Sequence, residues 1–173
     1  MSAKKVSIGK KVPAFSRPAT GGKTWKPAHA AGSKLVLYFY PRDNTSGCTK
    51  EAEAFRDAYP AFRKAGAVVL GVSPDGIASH EKFKQKLSLP FDLLADEDRL
   101  VCELFDVIKE KSMYGRKFMG VERSTFLLDG SGVLRREWRK VKVPGHADEV
   151  LEAVRSMEAG ADVPVRPAAA RRT

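Results

Sequence analysis

LVLYFYPRDNTSGCTKEA, residues 35–52, carries in one short run a buried strand, a turn, a lone cysteine and the start of a helix. Residues 35–40 have the length and the β-branched or aromatic content of a buried strand, and Pro41 stops it. Asp43, Asn44, Thr45, Ser46 and Gly47 are all turn or helix-capping types, so a helix is predicted to begin within a residue or two of Cys48. A sulfur at that junction lies against unpaired helix N–H groups and the positive end of the helix dipole, which favours thiolate over thiol. A lone cysteine is otherwise a small buried hydrophobe. The polar, turn-forming residues on its N-terminal side make Cys48 a candidate nucleophile instead.

Working outward, strands and helices alternate as in an α/β domain. VPAFSRPATGGKTW reads as a short hairpin turning at Gly21 and Gly22, AVVLGVS (67–73) as a second buried strand, and PDGIASHEKFKQKLSLP as a turn and a helix ending before Pro90. FDLLAD reads as a short strand and residues 99–107 as a helix. Residues 124–129, the DGSG turn and VLRREW make a hairpin, and a final helix is predicted over 147–159. IKEKSMYGRKFMGVE reads as a long polar loop beside the site, with Phe118 and Met119 as partial plugs over the core. One domain over 1–159 is expected, followed by a disordered tail, 160–173, rich in Pro, Ala and Arg without periodicity.

Pro41, Thr45 and Cys48 match the PxxxTxxC motif of the peroxiredoxins. FYPRDNTSGCTKEA and the later MYGRKFMGVERSTFLLDGSG resemble the bacterioferritin-comigratory-protein or PrxQ subfamily. The resemblance implies a thioredoxin-like α/β fold with a central mixed sheet flanked by helices. It implies thiol-dependent reduction of hydrogen peroxide and organic hydroperoxides with no metal or organic cofactor, and it makes Arg123 the active-site arginine. The implied reductant is thioredoxin, glutaredoxin or a small thiol, and a monomer or weak dimer is expected.

The chemistry asks for such partners independently. A free thiol ionises near pH 8.5, so only a few per cent is thiolate at neutrality. A helix end supplies only about 0.3–1 kcal/mol, so a full positive charge is wanted as well. Raising the thiolate fraction gains at most about thirtyfold, and the less basic sulfur gives much of that back, with a Brønsted slope of about 0.4–0.5. Efficient peroxide reduction therefore needs an oriented O–O bond and fixed donors for the leaving oxygen. The Thr45 hydroxyl, the backbone N–H groups at Gly47 and Cys48, and the Arg123 guanidinium form a candidate set, and Pro41 shields the pocket without adding an N–H. Thr45 also reads as a helix cap, and Glu51 either as the ion-pair partner of Arg123 or as an exposed first-turn acid.

Many relatives of this subfamily carry a second cysteine five residues after the first. Here Glu53 stands there, which excludes that bridge. Cys102, the only other thiol, lies on the flank of an apolar stripe formed by Val101, Leu104, Phe105 and Ile108. That position suits either a packed, inert thiol or a resolving cysteine reached after local unfolding. The reading favours resolution of the sulfenic acid by an external thiol over a Cys48 to Cys102 bridge.

Composition fits. The 173 residues, 43% hydrophobic, can fill one α/β core. No apolar leader and no stretch of 18 apolar residues is present, so a cytoplasmic protein without a membrane span is expected. His29, His80 and His146 lack metal-ligand spacing with the cysteines and read as surface or cap-adjacent residues. The net charge of +10 is dispersed, and its densest cluster, RREWRKVK, reads as a strand with a basic face rather than a specific nucleic-acid site. Two other classes compete with a peroxidase: a thioredoxin-fold redox-sensing or disulfide-exchange module, against which the lack of a CxxC motif counts, and a basic polyanion binder with an incidental thiol.

Overall fold

The computed structural model describes residues 5–157, so the tail assigned to 160–173 lies outside the described residues. In chain order the elements are β1 (Arg17–Ala19), β2 (Lys23–Trp25), β3 (Lys34–Phe39), α1 (Ser46–Lys64), β4 (Ala67–Ser73), α2 (Ile77–Leu87), β5 (Leu93–Ala95), α3 (Leu100–Leu104), β6 (Ile108–Met113), β7 (Arg116–Val121), β8 (Ser124–Leu128), β9 (Leu134–Arg139) and α4 (His146–Ser156). Seven strands form one mixed sheet in the order β2-β1-β5-β4-β3-β8-β9. β3, β4 and β5 run parallel, whereas β8 lies antiparallel to β3 and β9 to β8. The arrangement is the thioredoxin-like fold.

β3 is buried along its whole length, as its apolar run requires of a central strand. Successive side chains of a strand point to opposite faces, and here they feed two separate cores. Leu35, Leu37 and Phe39 pack with Leu70, Val72, Phe105, Phe126 and Cys102 on one face. Val36, Tyr38 and Tyr40 pack with α1, α2 and α4, and with Cys48, on the other. The sheet therefore stands between the two cysteines.

Tyr38 ties α1 to the sheet: its ring stacks on Phe55 with centroids 4.7 Å apart, a contact of about 0.5–1.5 kcal/mol beyond area burial. Gly71 in β4 makes room for it, since a Cβ there would stand 2.9 Å from the Tyr38 ring and 2.8 Å from Leu93.

Three sequence expectations are corrected. Residues 108–121 are no loop but an antiparallel hairpin, β6 with β7, turning at Tyr114 and Gly115. Phe118 and Met119 do not plug the core; they are exposed on that hairpin. The helix expected over 99–107 is only α3, because Asp106 takes a left-handed φ of 58° that a continuing helix does not allow.

Candidate active site

Thr45, in extended backbone, caps α1: its hydroxyl accepts from the Cys48 N–H at 3.3 Å and donates to the Arg42 carbonyl at 3.3 Å. Asn44 holds φ at 68°, turning the chain from Pro41 into the cap. Cys48 is thus in the first turn of the helix, where the leading N–H groups have no intrahelical partner. Its side chain faces the core and is 2% exposed.

Arg123 reaches this turn from the residues joining β7 to β8. Its Nη2 lies 3.5 Å from Cys48 Sγ, and its Nη1 donates to Glu51 Oε1 at 2.6 Å. Gly47 is what lets the guanidinium in, because a Cβ at that position would stand 3.1 Å from Nη2. Glu51 is buried one turn beyond Cys48, and its Oε2 has no hydrogen-bond partner among the described residues. Burial pushes its carboxyl up to about 7, against the pull of Arg123. Arg123 itself is held above its ordinary value: burial alone would lower it, but the charges of Glu51 and Cys48 outweigh that. Of the two readings of Glu51, the ion pair is the one observed.

The site opens into a cleft of about 680 Å³ lined by Pro41, Thr45, Gly47 and Arg123 together with residues that sequence reasoning did not single out: Arg42, Asp75, Arg99 and Lys111. Lys111 was hidden by reading its segment as a loop. It is half-buried, and burial followed by the nearby Arg123 charge holds its ammonium below the ordinary lysine value.

Cys102 is fully buried and lies behind the sheet. Burial pushes its thiol far up, and Asp96 beside it adds to the effect. In the folded chain it is packed into the core with Phe39, Phe105 and Phe126.

The histidine expectation needs correcting. His29 is exposed and His146, which follows the N-cap Gly145 of α4, is cap-adjacent although only 4% exposed, whereas His80 is fully buried in α2. His80 Nδ1 meets Asp43 Oδ2 at 2.8 Å and Nε2 meets the Leu94 carbonyl at 2.9 Å. Asp43 also accepts from Tyr40 and Ser79, and its N–H donates to Asp75. Burial alone would raise the Asp43 carboxyl, but these bonds, His80 first, hold it below its ordinary value. Asp43, Asp75 and His80 bring three ligand-type atoms within 4.8 Å of one another. The bonds of Asp43 and His80 fasten the Pro41 to Gly47 loop to α2 and β5. His146 Nε2 meets Thr125 Oγ1 at 2.8 Å, and burial lowers its affinity for a proton.

A thioredoxin-like sheet, with a cysteine in the first turn of a helix and an arginine against its sulfur, defines a thiol-based redox enzyme. The model of the AhpC/TSA family matches residues 8–137, and the chain belongs to that family, as a peroxiredoxin of the Bcp or peroxiredoxin Q kind. It is 52% identical over 136 residues to peroxiredoxin Bcp of Xanthomonas campestris (79% of this chain, 84% of that one). It is 48% identical over 146 residues to a Bcp of Coxiella burnetii (84% and 97%). Among solved structures, PrxQ of Xylella fastidiosa superposes with a TM-score of 0.82 at 40% identity (88% and 97%). The bacterioferritin comigratory protein of Xanthomonas campestris, studied for alkyl peroxide reduction, superposes with a TM-score of 0.78 at 48% identity (81% and 89%).

Proposed function

We propose that Cys48 is the peroxidatic nucleophile for hydrogen peroxide and organic hydroperoxides. The observation that carries this is the 3.5 Å approach of Arg123 to Sγ, braced from behind by buried Glu51. The Cys48 thiolate attacks one peroxide oxygen and the O–O bond breaks. Sulfur keeps that oxygen as a sulfenic acid, and the other departs as hydroxide or alkoxide to be protonated. Arg123 serves both ends of this path, because the negative charge moves from sulfur to the departing oxygen while the guanidinium stays fixed. The Gly47 and Cys48 N–H groups and the Thr45 hydroxyl supply further donors, and the long Thr45 bonds are easily exchanged for bonds to substrate. Pro41, on the cleft wall, limits water there.

Recycling in this reading is by an external thiol: thioredoxin, glutaredoxin or a small molecule. The sheet between Cys48 and buried Cys102 supports that choice, since a bridge needs Cα atoms within about 7 Å. The reading places the chain in the cytoplasm, where thiol reductants are plentiful, as a monomer or weak dimer. Specific nucleic-acid binding has no part in it: Arg135 pairs with Asp129 at 2.7 Å, Arg139 donates to the carbonyls of Phe105 and Asp106, and Arg136 lies over Trp138. No described helix is long and apolar enough to cross a membrane.

Cys48→Ser tests the assignment. Peroxide turnover by the purified variant should vanish with the circular dichroism spectrum unchanged, and retention of more than a few per cent of activity would refute it.

A further inference from the structure

The cleft above Cys48 holds more positive charge than the peroxide step uses. Besides Arg123 it is lined by Arg42, Arg99 and Lys111, against one acid, Asp75, whose Oδ2 is already taken by the Asp43 N–H and the Ser73 hydroxyl. Other lysines of the same hairpin have partners: Lys109 lies 3.3 Å from Asp106 and Lys117 3.8 Å from Glu110. Lys111, although half-buried, has no carboxylate within ion-pair distance among the described residues; burial and the like charge of Arg123 act against its ammonium, and the charges of Cys48 and Glu122 offset this only in part. Arg99 donates to the Met119 carbonyl at 3.1 Å and likewise has no acidic partner among the described residues. Neither does exposed Arg42. Exposed Met113, Phe118 and Met119 supply an apolar wall beside these charges.

A cleft lined by charges of one sign raises the local concentration of anions. Hydrogen peroxide carries no charge. The second reactant is a thiol, and with Cys102 behind the sheet it has to arrive through this cleft.

We propose that Lys111, with Arg99 and Arg42, is the binding site for the carboxylate of a small acidic thiol that reduces oxidised Cys48. This rests on the peroxidase reading above. The carboxylate lies on the three cations, the stem on the methionine and phenylalanine wall, and the sulfur reaches Cys48. The thiol sulfur attacks the sulfenic sulfur, an S–S bond forms, the S–O bond breaks, and the hydroxyl leaves as water with the thiol's proton. A second thiol molecule attacks the mixed disulfide, leaves as the symmetric disulfide and returns Cys48 as thiolate. Two thiols lose two electrons for each peroxide reduced.

The test uses three thiols of similar size and different charge: 3-mercaptopropionate, 2-mercaptoethanol and cysteamine. The protein is oxidised with one equivalent of hydrogen peroxide, the sulfenic acid is verified by mass spectrometry, and the rate constant for each thiol is corrected to its thiolate fraction and divided by the rate of the same thiolate with an uncharged small-molecule disulfide, which cancels the difference in sulfur basicity. The anionic thiol should react about tenfold or more faster than the cationic one, a typical gain from a cleft of one sign. The ratio should shrink toward one at about 0.5 M salt. Lys111→Gln and Arg99→Gln should each reduce it, and Lys111→Glu should reduce it further; because the ratio is taken within one variant, a general loss of reactivity cancels. Equal corrected rates in the wild type, or a ratio that neither salt nor these substitutions move, would overturn the proposal. So would a charge preference confined to oxidation by a carboxylate-bearing hydroperoxide, which would assign the cations to the oxidant. Failure of Cys48 to form a sulfenic acid would overturn the peroxidase reading itself, and this proposal with it, before any thiol is added.

Discussion

Removing the Arg123 guanidinium separates two roles that a positive charge beside a thiolate can play. Nη2 lies 3.5 Å from Sγ, and unit charges at that distance interact by about 5 kcal/mol at an effective dielectric constant near 20. Ionised Glu51, 2.6 Å from the other arm, offsets part of this, so the figure is a ceiling. If the whole of it only favoured ionisation of Cys48, Arg123→Ala would be slow at neutral pH and fully restored once pH alone had made the thiolate. The negative charge moves toward the leaving oxygen during reaction, however, and losing one fixed donor to such a charge typically costs about 10²–10³ in rate. Arg123→Ala should therefore lower the second-order rate constant for hydrogen peroxide by about that factor, and the deficit should persist on the high-pH plateau. Stopped-flow single-turnover measurements from pH 5 to 10 give both plateaus. A variant plateau equal to the wild-type plateau would refute the transition-state role and leave Arg123 as a promoter of ionisation alone.

Glu51 gives a pH signature. Its folded-state value near 7 lies above the ordinary 4.5, so its contribution to stability is fully present below about pH 4.5 and is lost as pH rises through 7. Glu51→Gln should match the wild type in urea unfolding at pH 5 and exceed it at pH 8 by on the order of 1–3 kcal/mol; no change in the difference between the two pH values would contradict this. Intact-mass spectrometry after one equivalent of peroxide should show a sulfenic acid and no internal disulfide, and Cys102→Ser should keep multiple turnovers with an added thiol. A reducible Cys48 to Cys102 bridge, with turnover lost in Cys102→Ser, would reverse the recycling scheme. His80→Leu should destabilise the fold by about 3–5 kcal/mol, because it strands the buried Asp43 carboxylate; a loss under 1 kcal/mol in thermal or urea unfolding would show that the pair does not fasten the loop.

Where one face of an element was apolar, the sequence was readable. The runs at 35–40 and 67–73 and the 124–139 hairpin stand where their composition put them, and the capping residues before Cys48 located the start of α1. β6 and β7 were unreadable as strands because most of their side chains are exposed, so no buried face imposed alternation on the apolar residues. The burial of polar groups was harder to read for the opposite reason: residue type left Glu51 open between an ion pair and an exposed acid and suggested surface for His80, while position did not. Glu51 lies on the stripe of Cys48, Ala52, Phe55 and Phe62, and His80 on that of Phe83 and Leu87. Helical spacing alone would have found both. That Lys111 faces Arg123 across the cleft depends on how the hairpin folds over α1, and local pattern carries no trace of it.

If Cys48 is recycled by an external thiol, as proposed, a catalytic sulfur separated by a sheet from the chain's other thiol has no internal store of electrons. Each turnover leaves Cys48 oxidised until something arrives from solution, so two arrivals compete for the same intermediate: a thiol that restores it and a second peroxide that takes it on to sulfinic acid. The fraction of molecules retired in this way tracks the ratio of peroxide to reductant outside the protein. The same wall that simplifies the chemistry thus makes the population of chains a cumulative record of the oxidative load it has met.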